Sequence, residues 1–145
     1  MTLQDIVDTI TSAFELEPLL PTSTGSYHFS LDQDIDIDLF SPNSNISIFF
    51  GKLFSVENND TITNTIIKEC ARIAIGVAKK KRSIVSIKEN NLELHLVVKN
   101  EQIELFPDYM KSFASDMYWW KEQIDKYKNQ SNSFSSPYGS GMLIP

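Results

Sequence analysis

The chain has 145 residues, 41% of them hydrophobic and 22% charged, with a formal net charge of -6 and a pI near 4.8. That size allows one domain burying roughly 68–70% of the surface its unfolded form exposes, and the composition excludes disorder throughout. The acidic balance argues against nucleic acid or an anionic membrane as the main partner, and a single cysteine, Cys70, rules out an intramolecular disulfide.

The N-terminal residues include Asp5 and Asp8 and no basic stretch, so a secretory signal is not expected. Thr2 is placed to cap a first helix, with Asp5 three residues later as a variant capping box. Leu3, Ile6, Val7, Ile10 and Phe14 then fall on one face. Pro18 and Pro21 end the helix, and residues 21–25 (Pro-Thr-Ser-Thr-Gly) read as a loop. Three runs follow with period-two alternation, each predicting a strand with one buried face: Tyr27 to Leu31, Ile35 to Leu39 and Ile46 to Phe50. Turn residues 41–45 separate the last two. Phe49 falls out of phase with Ile48 and Phe50 and is expected on the opposite face.

Asn58, Asn59 and Asp60 offer caps for a second helix running to about Lys81. Ile62, Ile66, Cys70, Ile73 and Val77 form one stripe, and Ile67, Ala71, Ala74, Ile75 and Ala78 make the adjoining surface apolar too. A helix apolar most of the way round must be covered on two sides. The sheet covers one; a second copy of the chain, approaching over small residues that include Gly76, covers the other, whereas in a monomer the helix would have to be centrally buried. Ile67, Cys70, Ala71, Ala74, Ile75 and Ala78 are therefore the expected dimer interface. The basic run Lys79 to Arg82 ends this helix, where cations suit the helix dipole. Charged Lys68, Glu69 and Arg72 rule the segment out as a simple membrane span.

Two further runs, Ser83 to Ile87 and Leu92 to Val98, read as a hairpin across residues 89–91. A last helix enters near Pro107, which is tolerated in a first turn, and carries a stripe of Met110, Phe113, Met117, Trp120, Ile124 and Tyr127. Residues 129–145 are uncharged and rich in serine, and are expected to form a flexible tail after a domain spanning residues 1–128. The fold class predicted is α+β, in the order α-β-β-β-α-β-β-α, with a twisted antiparallel sheet packed against helices and a homodimer through the second helix.

Asp32, Asp34, Asp36 and Asp38 are the one arrangement inviting a metal. A calcium loop needs Gly at its sixth position and Glu at its twelfth, and counting from Asp32 those are Ile37 and Asn43. The match fails, and the acids read as one exposed strand face. His28 and His95 belong to no metal-ligand or nucleophile spacing. Cys70, inside an apolar helical pattern, reads as a buried, inert thiol. No catalytic motif is present and no cofactor is expected.

The amphipathic opening helix through Phe14, the strand end Phe29-Ser30-Leu31-Asp32, the strands Ile35–Leu39 and Ile46–Phe50, the Ala-rich second helix and the aromatic last helix together resemble the class I chaperones of bacterial type III secretion. The likeness covers about Thr2 to Asn129 and is one of layout, size and charge. It implies a small, acidic, cytoplasmic homodimer that binds the N-terminal region of a secreted effector, keeps it soluble and unfolded, and releases it to the secretion ATPase, with no membrane insertion. Such chaperones hold an extended segment by apolar grooves and by strand addition. Leu3, Val7, Ile10, Phe14, Ile35, Ile37, Phe40, Ile48, Phe49, Phe50 and Phe54 are the expected effector contacts. Two other functions stay open: an immunity protein or antitoxin that blocks a toxin through the acidic strand face, and a metal-dependent enzyme using the same acids.

Overall fold

The computed structural model describes residues 1–32, 35–55, 61–77, 83–88 and 90–135, the side chains at 32, 61, 62, 77 and 130–135 excepted. In chain order the elements are α1 (Leu3–Ala13), β1 (Tyr27–Asp32), β2 (Ile35–Phe40), β3 (Ile46–Ser55), α2 (Thr61–Val77), β4 (Ile84–Lys88), β5 (Asn91–Lys99) and α3 (Phe106–Ser135). A short 3-10 turn, Ile103–Leu105, leads into α3. This is the predicted α+β order.

The ends of α1 follow from local hydrogen bonding. Thr2 Oγ1 accepts the Asp5 amide at 3.2 Å, and the Asp5 carboxylate accepts the Thr2 amide at 2.9 Å, so two otherwise unpaired donors are satisfied reciprocally. Those bonds hold the Asp5 carboxyl below its ordinary range. At the other end Glu15 takes a left-handed φ of 55°. Its amide donates to the Ser12 carbonyl at 3.4 Å, and the Leu16 amide donates to the Thr11 carbonyl at 2.8 Å. This is the Schellman pattern, with glutamate where glycine is usual, and it turns the chain away just after Phe14.

The strands form one antiparallel sheet in the order β1-β2-β3-β5-β4. Leu39 pairs with Phe49, which pairs with Leu96, so these three point to the same side. That side carries the core. α3 packs against β2 and β3, with α1 and α2 both packed against α3. Ile35, Ile37, Leu39, Phe49, Leu53, Leu92, Leu94, Leu96 and Val98 meet the helical stripe Met110, Phe113, Met117, Trp120 and Ile124, all buried. The Phe49 ring lies 6.3 Å from Phe106 and 5.9 Å from Phe113, tilted against both. Gly51 is required here by space: a Cβ would sit 2.6 Å from Met117 Cε and 3.0 Å from the Asp36 carbonyl oxygen. Ser47 is the polar member of this face. Its hydroxyl is bonded to Ser41 Oγ at 2.7 Å and Asn100 Oδ1 at 2.6 Å, which ties the β2–β3 turn to the end of β5.

Two expectations are corrected. The inward set of β3 is Ser47, Phe49, Gly51 and Leu53, whereas Ile46, Ile48 and Phe50 point to the other side. Phe49 is indeed out of phase with its neighbours, but it turns into the core rather than toward a partner. α3 also runs on to Ser135 instead of yielding to a tail at residue 129. Asn, Gln and Ser weaken a helix by tenths of a kcal/mol each (roughly 0.5) without breaking it, and Pro137 is the first residue that disfavours the helical state before it. The caps proposed at residues 58–60, the end of α2 near Lys81, the basic run to Arg82 and residues 136–145 lie outside the described residues.

Candidate functional site

Among the described residues, two apolar surfaces flank the sheet and bear on binding. The first is a cleft of about 400 Å³ lined by Phe14 after α1, Leu31 on β1, and Met110, Lys111, Ala114, Ser115 and Tyr118 on α3. Periodicity builds it. Phe14 ends the stripe of α1, Leu31 continues the Tyr27–Phe29 face of β1, and Met110, Ala114 and Tyr118 follow at successive turns along α3. Phe14 is 38% exposed and Tyr118 47%, so the cleft has aromatic walls that water still reaches. Tyr118 also borders a second cleft of about 580 Å³, lined by Ile35, Leu53, Lys121, Glu122, Ile124, Asp125 and Lys128. One trough therefore follows α3 from Met110 to Lys128, apolar at the first end and charged at its rims toward the second. β1 is an edge strand beside it.

The second surface is the side of the sheet away from the helices. Register aligns Phe40, Ile48 and Val97 in one row across β2, β3 and β5, and Asp38, Phe50, His95 and Ile84 in the next. Phe40 meets Phe50 edge-on at 5.7 Å, and Phe50 stacks on the His95 ring at 6.2 Å. Val97 and Ile84 are exposed and the phenylalanines half-buried. At the β1 side this apolar patch gives way to charge. His28 Nδ1 lies 2.8 Å from Asp38 and Nε2 3.2 Å from Asp36, while Ser30 donates to Asp36 at 2.9 Å. The Asp38 bond is the main cause of a His28 pKa raised above its ordinary value, with Asp36 adding to it. Two carboxylates flanking one imidazole favour its doubly protonated form. Among the described residues no group of three His, Cys, Asp or Glu side chains is arranged to hold a metal, and no helix is long and apolar enough to cross a membrane.

The residues expected to contact an effector thus separate into three places. Phe14 lines the trough, and Leu3 is half-buried on α1. Phe40, Ile48 and Phe50 belong to the outer sheet face, whereas Phe54, past a bulge in β3 and paired with Leu92, is half-buried on the helix side at the Lys128 end of the trough, with the Lys128 ammonium 4.7 Å from its ring centroid. Val7, Ile10, Ile37 and Phe49 are wholly inside the core, as is Ile35 apart from its edge on the second cleft, so they have no side-chain surface to offer here. Ile35 and Ile37 also lie on the opposite face from Ile48 and Phe50, so the four do not form one groove.

Leu31, Ala114 and Tyr118 were not expected at a contact site, and Met110 was expected only in the core stripe. The first was visible as the third member of the Tyr27–Phe29–Leu31 alternation. The α3 residues follow a stripe rotated from the core one, a pattern that no single residue type marks.

Along α2, Ile66 and Cys70 are buried against the rest of the chain, and burial pushes the Cys70 thiol up to about 11. Cys70 is therefore inside the protomer rather than on the face expected to meet a second copy. Ile67 and Ala74 are half-buried, Ala71 is exposed, and Ile75 is 81% exposed; Ala78 lies outside the described residues. Ile84 and Ile87 on the neighbouring edge strand β4 are also exposed.

No family model matches the chain, and no curated protein matches it in sequence. Solved structures do. A chain of the HopA1–SchA chaperone–effector complex superposes with a TM-score of 0.62 at 14% identity, covering 81% of this chain and 91% of that one. A chain of the ExsC–ExsE complex gives 0.66 at 10% identity, covering 86% and 97%. A chain from the Yersinia pestis type III secretion chaperone SycH bound to a stable fragment of YscM2 gives 0.56 at 10% identity, covering 82% and 99%. The chain has the fold of the class I type III secretion chaperones.

Proposed function

We propose that this protein is a cytoplasmic type III secretion chaperone that binds the N-terminal region of a secreted effector and holds it soluble until it is passed to the secretion ATPase. The observation that carries this reading is the aromatic-walled trough between α1, β1 and α3, on a fold that recurs among solved chaperone–effector complexes. An extended segment would set apolar side chains against Phe14, Leu31 and Tyr118, and its backbone could pair along the free edge of β1. Phe40, Ile48 and Phe50 supply a second contact surface on the outer face. No bond is made or broken and no cofactor is needed.

The working unit is a homodimer. Ile75 on α2 and Ile87 on the helix side of β4 are exposed on two elements packed beside each other, an apolar area that a second copy would cover. Ala71, Ala74 and Gly76 beside Ile75 let a second helix approach closely, and a Cβ added at Gly76 would meet nothing within the protomer.

The test is purification of the untagged full chain from its source cells, followed by light scattering and peptide mass spectrometry. A species of about twice 16.5 kDa carrying a larger protein protected near its N-terminus is expected, with the larger protein lost from the Phe14→Asp variant. A chain that purifies alone, or a partner retained equally by Phe14→Asp, would refute the trough as the client site.

A further inference from the structure

The far end of the trough opens where the sheet splits. Pairing between β2 and β3 stops at Asp38–Phe50, although β1 still holds β2 as far as Ile35 and β5 holds β3 as far as Ser55. Between the parted strands and α3 lies a further cleft of about 400 Å³, on which Lys52, Lys121 and Lys128 converge. Asp36 is the acid among its described lining residues. Its carboxylate is engaged at β1, accepting from Ser30 at 2.9 Å and lying 3.2 Å from His28 Nε2. Glu122 and Asp125 border the neighbouring cleft rather than this one. Among the described residues neither Lys52 nor Lys128 has a carboxylate within 4.0 Å, and the Lys128 ammonium stands over the Phe54 ring instead. The Ser55 hydroxyl in the same wall is buried with no hydrogen-bond partner among those residues. In a chain of net charge -6, this is a locally positive cleft with an unused donor beside it.

We propose that this cleft takes the carboxylate side chains of an extended peptide segment whose apolar residues sit farther up the trough. Tyr118, Lys121, Asp125 and Lys128 follow one another at steps of three and four, so they share one face of α3. Tyr118 to Lys128 is about 15 Å along the helix axis, a distance an extended chain covers in about four to five residues. The ligand is therefore a segment with apolar residues followed at that spacing by acidic ones. The lysines hold the acids by charge-assisted hydrogen bonds, beside the apolar walls of Leu53 and Phe54. Selection of an acidic peptide needs only the cleft; that the peptide belongs to a client rests on the function proposed above. On that reading the apolar end of the trough supplies general affinity, and the lysine end decides which clients are accepted.

The site is tested without any client. A synthetic peptide with a pair of leucines followed at that spacing by a pair of aspartates is titrated into the isotope-enriched full chain. A peptide with asparagines in place of the aspartates, and succinate at matched ionic strength, are titrated in parallel. The aspartate peptide is expected to shift the amide signals of Lys52, Phe54 and Lys128 and to bind about tenfold more tightly than the asparagine peptide. In the Lys52→Gln, Lys128→Gln double variant the two peptides are expected to bind alike. Equal affinities in the parent, an unaltered preference in the double variant, shifts confined to other surfaces, or no binding of either peptide would overturn the proposal. So would succinate shifting the same signals at the same concentrations, which would make the cleft a site for small anions. A peptide preference that holds while the protein co-purified with the parent is retained equally by the double variant would leave the acidic-peptide site standing and overturn its assignment to a client.

Discussion

Replacing Phe49 by alanine separates a core position from a surface contact with one number. Phe49 has no exposed surface, and its ring is held between Phe106 and Phe113 at centroid distances of 6.3 and 5.9 Å. Truncating such a side chain loses its transfer free energy and leaves a cavity that the sheet and α3 cannot fully close, for a cost of about 3–5 kcal/mol. A surface contact residue would change stability by about 0.5 kcal/mol or less. With a urea slope of about 2 kcal/mol/M, the core reading moves the unfolding midpoint down by roughly 1.5–2.5 M at unchanged slope. The measurement is a urea titration followed by tryptophan fluorescence, at one fixed protein concentration for both chains because the stability of the proposed dimer would depend on it. A midpoint within 0.3 M of the parent (roughly 0.6 kcal/mol at that slope) would refute the placement of Phe49 and the β3 register on which it rests.

Other expectations follow from the same packing. Gly51→Ala sets a methyl 2.6 Å from Met117 Cε and 3.0 Å from the Asp36 carbonyl oxygen; the methionine end gives way but the backbone oxygen does not, and a loss of about 1–3 kcal/mol is expected in the same titration. Cys70 should resist a disulfide reagent at pH 8 in the folded protein and react fully in denaturant, since its thiol is buried and raised to about 11. His28 has a folded pKa above its unfolded value, so its contribution is fully present below about pH 6.5 and fades as pH rises through the folded value. Thermal melts should accordingly show His28→Gln less stable than the parent at pH 6 and converging with it on the alkaline side, an exposed pair of this kind giving a small difference. Ile75→Arg should shift the light-scattering mass from dimer to monomer while leaving the circular dichroism spectrum unchanged; a variant still at dimer mass would remove α2 from the interface.

Much of the fold could be read from local patterns because the local signals were strong and agreed. The Thr2–Asp5 box, the turn residues between Leu39 and Ile46, and the three-four spacing of Met110, Phe113, Met117, Trp120 and Ile124 each specify an element on their own. The face of β3 was harder. Ile46 to Phe50 has apolar residues in both phases, and the short run alone favours the isoleucines as core. The full strand reaches Ser55, where Gly51 and Leu53 continue the Phe49 phase while Lys52 marks the other as outward. Even so, Phe49 wins only because Leu39 and Leu96 flank it on the helix side, which is a tertiary fact. The trough was illegible for a related reason: it is assembled from the ends of α1 and β1 and an off-stripe line of α3, three segments brought together only by packing. For α2 the two-sided apolar pattern was plain, and the structure resolves which side is which, with Cys70 inward and Ile75 outward.

The most direct measurement is a comparison of secreted proteins between source cells and a strain lacking this chain, under conditions that switch on type III secretion. An effector chaperone predicts that one or a few proteins vanish from the culture supernatant while the rest of the secreted set is unchanged, and that the wild-type chain restores them but Phe14→Asp does not. An identical secreted set in the two strains would contradict it.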